Sequence, residues 1–111
     1  MITVAPGAIL WALVPNPKNK QWKERPVVII SCDDVEDSGK VFGAAITTKF
    51  DDPPQTHEVL LEPSKANGLN EPCAINLKWL LEIPVEHVRR KLGKVDEKTM
   101  DTVWDYLDAQ A

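Results

Sequence analysis

The stretch from Arg25 to Ser31 constrains the fold of this chain more than any other part of the sequence. It reads Arg-Pro-Val-Val-Ile-Ile-Ser, so a cation and a proline precede four branched apolar residues. Four such residues have the length and the β-branched content of a buried strand. Pro26 has no backbone N–H, which restricts it to the first position of that strand or to an edge. Arg25 then lies at the mouth of the strand, where we expect it to contact either a carboxylate or an anionic ligand.

The composition is typical of one small globular domain. The chain has 111 residues, of which 43% are hydrophobic and 27% charged, and this predicts a single domain over residues 1–111. No apolar run approaches the roughly 20 residues that cross a bilayer, and the N-terminus does not read as a secretory signal. Cys32 and Cys73 lie neither in a CxxC pair nor near a histidine, which favours a reducing cytoplasm over a disulfide scaffold or a zinc site. We therefore expect a cytoplasmic protein that needs no membrane, metal or cofactor.

Strand-forming patterns predict five or six short strands in all. Besides the strand after Arg25, the predicted strands are Ala8–Val14, Val41–Phe50, Thr56–Glu62, Cys73–Ile83 and Arg89–Val95. The last of these also suits the continuation of a helical turn that begins at Pro84. Within Cys73–Ile83, alternation places on one face Ile75, Leu77 and Trp79, and on the other Asn76 and Lys78.

The C-terminal segment predicts an amphipathic helix. Asp96 can cap it, and an apolar stripe at i, i+3, i+4 and i+7 follows in Met100, Val103, Trp104 and Leu107. Such a stripe packs on the core or on a partner. Strands followed by one helix predict a mainly β, α+β architecture, in which a small, strongly bent sheet or barrel is covered by the helix.

Positive charge is concentrated just before Arg25. The chain carries a net charge of -4, but residues 16–25 contain four cations and one glutamate. Screening acts over about 8 to 10 Å, so this local strip can attract an anion despite the overall charge. The segment lacks periodic apolar residues, which predicts a surface loop. Its Trp22 either stacks on a nucleobase or packs as an apolar anchor on the barrel or on a dimer partner.

Familiar hydrolase and metalloenzyme motifs are missing from the sequence, including GxSxG, HExxH, Walker-type and GxGxxG patterns. The acidic run Asp33–Asp37 lacks the ligand spacing of a calcium loop and is predicted to be a solvated turn. Arg25 presents paired planar donors that suit phosphate oxygens, and Thr47 and Thr48 add two adjacent hydroxyls at a strand end. Because RNA carries its own nucleophile in the 2′-hydroxyl, a protein can cleave it without metal by orienting that group and stabilising the phosphate.

Four segments follow one another in a characteristic order over nearly the whole chain. They are Pro6-Gly7 before an apolar strand, Arg25–Ile30, Ala44–Thr48, and Arg90–Val95 before the helix. In this order and spacing the chain resembles the PemK/MazF-like toxins of bacterial toxin-antitoxin pairs. The resemblance implies an SH3-like small β-barrel of the PemK/MazF/CcdB kind with a C-terminal helix. It also implies a homodimer, a cognate antitoxin, and metal-independent cleavage of single-stranded RNA such as mRNA, which inhibits growth.

Carried over position by position, the resemblance places the family's active-site arginine at Arg25 and its threonine at Thr47, with Thr48 as the alternative. Arginine is a poor base because its pKa exceeds about 12, so another group is expected to accept the proton. Glu24 and His57 are the candidates. The predicted RNA-binding residues belong to the basic segment and to later strands: Lys18, Lys20, Trp22, Lys23, Lys49 and Lys78.

Two other interpretations remain open from the sequence. Residues 18–24 replace a Gly-Ser-Glu-Gln stretch of the family, and the chain is acidic overall, which suits a non-catalytic toxin or binding module acting on a protein such as DNA gyrase. Alternatively, the chain is a structural barrel in which Arg25 forms an ordinary ion pair with Asp33 or Asp101. For the enzymatic interpretation we expect a homodimer whose groove lies between the subunits, near the first strand and the basic segment.

Overall fold

A computed structural model describes residues 5–16, 18–31 and 39–110, which form one antiparallel sheet and one main helix. The six strands are β1 (Ala8–Pro15), β2 (Trp22–Ser31), β3 (Lys40–Thr47), β4 (Glu58–Leu61), β5 (Cys73–Pro84) and β6 (Val88–Lys94). A short 3-10 helix, Val85–His87, joins β5 to β6, and helix α1 spans Glu97–Gln110. The strand order is β4-β5-β3-β2-β1-β6. The predicted architecture is confirmed, and the sheet is barrel-like without closing, since β4 and β6 stand at its two edges.

Strand β2 lies in the middle of the sheet and begins earlier than predicted. It pairs with β1 from Trp22 onward, whereas its pairing with β3 begins only at Val27. Pro26 therefore has a paired neighbour on one side, which is the edge environment that its missing N–H requires. The prediction of a loop over residues 16–25 is wrong for residues 22–25, because β1 extends far enough to supply them with a partner strand.

The sheet carries a packed apolar layer on each face. Alternate residues of β2 divide between them, since Val28 belongs to one layer while Val27 and Ile29 belong to the other. The first layer is covered by α1, and the second includes residues of β1 together with Ile83 from the far end of β5. With a buried layer on both sides, β2 has the continuous apolar run of a fully buried strand.

A bulge in β5 changes the direction of one predicted core residue. Ile46 pairs with Ile75 but Ala44 pairs with Leu80, so residues 76–79 lie opposite a single residue of β3. Extra residues on one strand bend it and re-aim side chains. The prediction that Trp79 shares a face with Ile75 and Leu77 is wrong, because its ring lines the same cavity as Asn76 and Lys78.

Other predicted boundaries differ by a few residues. β3 ends at Thr47 and β4 spans only Glu58–Leu61, so His57 lies in the turn before β4 and not on the strand. The predicted strand at Arg89–Val95 is confirmed as β6. Cys73 is buried, and that burial raises the pKa of its thiol. Cys32 and the acidic run Asp33–Asp37 lie outside the described residues.

Helix α1 begins where its predicted cap requires. The backbone N–H of Thr99 donates to Asp96 Oδ1 at 2.7 Å, and the predicted apolar stripe packs on the first core layer, with Met100 and Val103 buried and Trp104 and Leu107 partly buried. Hydrogen bonds from Thr99, with a smaller contribution from Lys98, hold the pKa of Asp96 below its ordinary value. Within the described ranges, no helix is long and apolar enough to span a bilayer.

The lowered pKa of Asp96 predicts a pH-dependent effect of Asp96→Asn on stability. The variant keeps an oxygen for Thr99 but removes a negative charge from the helix N-terminus. Because the folded-state pKa lies below the unfolded one, the charge stabilises the fold above the unfolded pKa, and this is lost as pH falls through the folded pKa. We expect the variant to melt a few degrees below the parent at pH 7, with the gap closing in acid. Circular dichroism melts at both pH values check this, and an unchanged gap in acid would contradict it.

Candidate active site

Arg25 and Thr47 lie on neighbouring strands at the same end of the sheet. The antiparallel register of β2 and β3 pairs Val27 with Ala45. Continued by two residues, that register places Arg25 opposite Thr47, and residues two apart share a face of a strand. The two residues that the resemblance singled out are therefore brought together by the strand pairing.

Two adjoining cavities meet at this pair, and we call them together the Arg25 groove. Their volumes are about 360 and 450 Å³, and both are lined by Lys23, Arg25, Thr47 and Thr48. The first cavity extends toward the 68–71 loop and β6, and the second toward Asn16 and the bulge of β5. Arg25 therefore lies where the two cavities adjoin.

The guanidinium of Arg25 is partly buried and has an aromatic neighbour in place of an acidic one. Its central carbon lies 5.2 Å from the centroid of the Trp79 ring. No carboxylate within residues 5–16, 18–31 and 39–110 lies close enough to form a salt bridge with it. Asp101 is therefore not its partner, and Asp33 is outside the described residues. An arginine held in a cavity without a counter-ion is suited to bind an anion.

The hydroxyl of Thr47 is oriented by a local hydrogen bond. The backbone N–H of Lys49 donates to Thr47 Oγ1 at 3.1 Å. Since a hydroxyl has one proton and two lone pairs, this bond leaves the proton free to be donated to a ligand. Thr48 also lines the groove but is more exposed. Arg25 and Thr47 together offer donors of two kinds to one ligand oxygen or to neighbouring ones.

The second cavity is strongly cationic. Its charged lining residues are all cations, and they are Lys18, Lys23, Arg25, Lys49 and Lys78. No Asp or Glu occurs among the described residues that line it, although the whole chain carries a net charge of -4. A concave surface of one sign concentrates the field and attracts counter-charged ligands. The lining of this cavity is therefore suited to an anionic ligand.

The two predicted proton acceptors occupy different places. Glu24 lines the first cavity, but Trp11 Nε1 donates to its carboxylate at 2.6 Å and Arg89 Nε lies 3.5 Å away. His57 lines neither cavity of the groove, and its carbonyl accepts from the backbone N–H of Leu77. Of the two, only Glu24 lies at the groove.

Two predicted RNA-binding residues are not brought to the groove. Lys20 lies in the β1–β2 turn with a positive φ of 59° and lines neither cavity. Trp22 packs edge-on against His87, with ring centroids 5.3 Å apart, at a separate small cavity. Its ring is still 56% exposed. Trp22 thus packs back on the protein, which is the second of the two interpretations that the sequence left open.

Several groove residues were missed from the sequence: Asn16, Asn76 and Arg90. Lys78 and Trp79 both line the groove, and the resemblance allows either of them in place of a strand glutamine near the family's RNA groove. Arg90 belongs to the basic run 89–91, and a charged run of this length is usually a solvated face. Its pairing with Trp11 of β1 carries it to the first cavity. Which residue of that run reaches the cavity depends on the register between β1 and β6, and this register shifts twice along the pair. In the part of the chain that the structure describes, no three metal-ligating side chains cluster.

The sequence matches one protein family over almost its whole length. The family model described as PemK-like, MazF-like toxin of type II toxin-antitoxin system matches residues 5–110. No curated protein sequence matches the chain significantly.

Solved structures share the fold at low sequence identity. The Mycobacterium tuberculosis toxin MazF-mt6 is 24% identical, with a TM-score of 0.72 over 92% of this chain and 93% of that one. MazF from Deinococcus radiodurans is 15% identical, with a TM-score of 0.74 over 99% and 96%. An endoribonuclease in complex with its cognate antitoxin, from a mycobacterial species, is 18% identical, with a TM-score of 0.68 over 98% and 93%.

Proposed function

The chain belongs to the PemK-like, MazF-like family of type II toxin-antitoxin toxins, and from that premise we propose that it is an endoribonuclease that cleaves single-stranded RNA without a metal ion. The observation that carries this proposal is the cavity that four lysines line together with Arg25 and Thr47. A groove open along its length accepts a flexible single strand, and its charges match a row of phosphates.

In the proposed reaction, the 2′-oxygen of a ribose attacks the adjacent phosphorus. A bond forms between that oxygen and phosphorus, the bond to the 5′-oxygen breaks, and the 2′-hydroxyl proton leaves while the 5′-oxygen gains one. Arg25 stabilises the charge that builds on the phosphate oxygens, and Thr47 donates its proton to one of them. Arginine is a poor base at neutral pH, so the proton acceptor is another group, and Glu24 is the predicted candidate that lines the groove.

For the remaining partners, the proposal follows the same family. An antitoxin encoded with this chain inhibits it, as the mycobacterial endoribonuclease solved with its cognate antitoxin suggests by its fold. A homodimer extends the groove, because β1 and the basic segment lie beside it. Toxicity arises from cleavage of mRNA in the cytoplasm. No observation on the described residues favours a protein target such as DNA gyrase instead.

Incubation with a long single-stranded RNA in excess EDTA tests the proposed activity. We expect discrete fragments at a rate that added Mg²⁺ does not raise, because the nucleophile belongs to the substrate and the charge is stabilised by Arg25. Double-stranded RNA of the same sequence serves as the control and should stay intact. Intact single-stranded RNA at micromolar enzyme would reject the nuclease and would favour a binding module.

Thr47→Val tests the role of the hydroxyl, because valine has nearly the same shape. Loss of one donor to a charged group corresponds to roughly a 10-fold to 100-fold drop in kcat, and Thr47→Ser should restore most of it. Single-turnover cleavage assays measure both variants. Thr48→Val distinguishes the two hydroxyls: if it lowers kcat more than Thr47→Val does, the assignment moves to Thr48.

A further inference from the structure

Trp79, the aromatic neighbour of Arg25, lines the groove but has no role in the proposed reaction. We propose that Trp79 is a positioning residue that holds the Arg25 guanidinium with its two terminal amino groups toward the groove. This inference rests on the proposed function of the groove, and it adds a residue on which the presentation of Arg25 depends.

The bulge of β5 is what places the Trp79 ring beside Arg25. Strict alternation would put this side chain with Ile75 and Leu77 in the helix-covered core layer. The four residues of the bulge instead lie opposite one residue of β3, and the backbone N–H of Leu77 donates out of the β3 ladder to the carbonyl of His57 at 2.8 Å. Bulges of this kind redirect single side chains beside functional sites.

The contact between the two side chains selects which nitrogens of Arg25 a ligand can reach. Arg25 Nε is buried without a hydrogen-bond partner, whereas its terminal nitrogens are not among the buried unpartnered atoms and make no described hydrogen bond. A ligand in the groove can therefore reach the two terminal nitrogens of the guanidinium but not Nε. Trp79 Nε1 is also buried without a partner. The indole nitrogen therefore makes no hydrogen bond to the guanidinium, and the contact between the two side chains is that of the Arg25 cation with the ring face.

Positioning of the Arg25 guanidinium by Trp79 affects kcat, whereas the attraction of RNA to the groove affects KM. The arginine side chain has several rotatable bonds, and without the ring its guanidinium samples orientations that do not face the phosphate. The long-range attraction for RNA comes from the whole set of cations and remains. Loss of Trp79 should therefore lower kcat much more than it raises KM.

Arginine Nε–Hε spectra test the contact directly and do not depend on activity. The chain has three arginines, Arg25, Arg89 and Arg90, so a ¹H–¹⁵N spectrum has three such signals, and Arg25→Lys assigns one of them. In the parent we expect that signal to be displaced by the ring current and to exchange slowly with water, because Nε is buried. In Trp79→Leu it should move toward the other two and exchange faster. An unchanged position and exchange rate would overturn the proposal.

Kinetics test whether the contact matters for the reaction. Trp79→Leu should lower kcat roughly fivefold to tenfold while KM stays within twofold, and Trp79→Phe, which keeps a ring face, should restore most of kcat. In an Arg25→Ala background, Trp79→Leu should cause no further loss, since it acts through Arg25. Equal losses in both backgrounds would overturn the proposal.

Trp104→Leu is the matched control, because it removes an indole that packs on the core away from the groove. It should lower the melting temperature but leave kcat per folded molecule unchanged. If the parent does not cleave RNA, the proposed function fails while the Arg25 spectrum still decides the contact. If the parent cleaves and Trp79→Leu leaves the spectrum unchanged, only the present inference fails.

Discussion

Arg25→Ala should lower RNA cleavage by at least about 100-fold, the range seen when a preorganised donor to a developing oxyanion is removed. Arg25 and Lys23 are the two cations that line both cavities, and neither forms a salt bridge with a described carboxylate. Of the two, Arg25 is the partly buried one. Its charge is therefore available to a phosphate. Arg25→Lys should recover part of the rate, because lysine keeps the charge but loses the planar fork. Single-turnover assays with long single-stranded RNA measure all three proteins.

The loss in Arg25→Ala should not come from unfolding or from net charge. The side chain makes no described salt bridge or hydrogen bond, so its removal should shift the melting temperature by only a few degrees. Lys98→Ala removes one cation from the exposed side of α1 and should leave the rate unchanged. Cleavage by folded Arg25→Ala within threefold of the parent would move the active site elsewhere.

The largest expected effect on stability belongs to Gly68→Ala. Gly68 has a φ of +70°, and an added Cβ would overlap the backbone carbonyl of Leu92, approaching its carbon to 2.8 Å. The left-handed conformation destabilises by roughly 1–2 kcal/mol and the overpacking by roughly 1–3 kcal/mol, so we expect a loss of about 2–5 kcal/mol in the free energy of unfolding. At several degrees per kcal/mol, the melting temperature should fall by at least about 10 °C.

The surrounding loop cannot easily move to relieve this overlap. The side chain of buried Asn67 accepts from the backbone N–H groups of Ser64 and Leu69 and donates to the carbonyl of Glu62. Because residues 68–71 also line the first cavity, cleavage should fall together with stability.

Gly39→Ala separates the two causes of the expected loss. Gly39 has a similar φ of +66°, but an added Cβ would meet nothing within 4 Å. Gly39→Ala should therefore lower the free energy of unfolding only by the cost of the left-handed backbone conformation, about 1–2 kcal/mol. Denaturant unfolding measures both variants, and equal losses would show that contact with Leu92 is not responsible.

Local patterns predicted most of the fold. The helix stripe from Met100 to Leu107 and the β-branched run after Arg25 repeat with the periods of their elements, and both pack as expected. The extension of β2 to Trp22 was missed because it depends on β1, which is distant in sequence and supplies the hydrogen-bond partner. Residues 22–25 are mostly polar and pair only with β1. They therefore lack the alternation of apolar and polar residues from which a strand is predicted.

The site was predictable only in part, for a similar reason. Arg25 and Thr47 followed from the resemblance, and the β2–β3 register explains why they meet. Trp79 and Arg90 reach the groove through a bulge in β5 and through register shifts between β1 and β6. The bulge residues 76–79 of β5 include no Gly or Pro to signal the irregularity, so alternation assigned Trp79 to the core. His57 became a candidate by residue type alone, and it lines neither cavity of the groove.

The chemical nature of the product ends tests the central claim most directly. The fragments come from a long single-stranded RNA cleaved in excess EDTA. Attack by the 2′-oxygen with departure of the 5′-oxygen predicts 2′,3′-cyclic phosphate and 5′-hydroxyl ends, which a polynucleotide kinase assay and mass spectrometry identify. We expect these ends from the parent protein and at least about 100-fold less cleavage by Arg25→Ala. Ends with 3′-hydroxyl and 5′-phosphate, or fragments from Arg25→Ala in the same yield as from the parent, would contradict cleavage by the substrate's own nucleophile at the Arg25 groove.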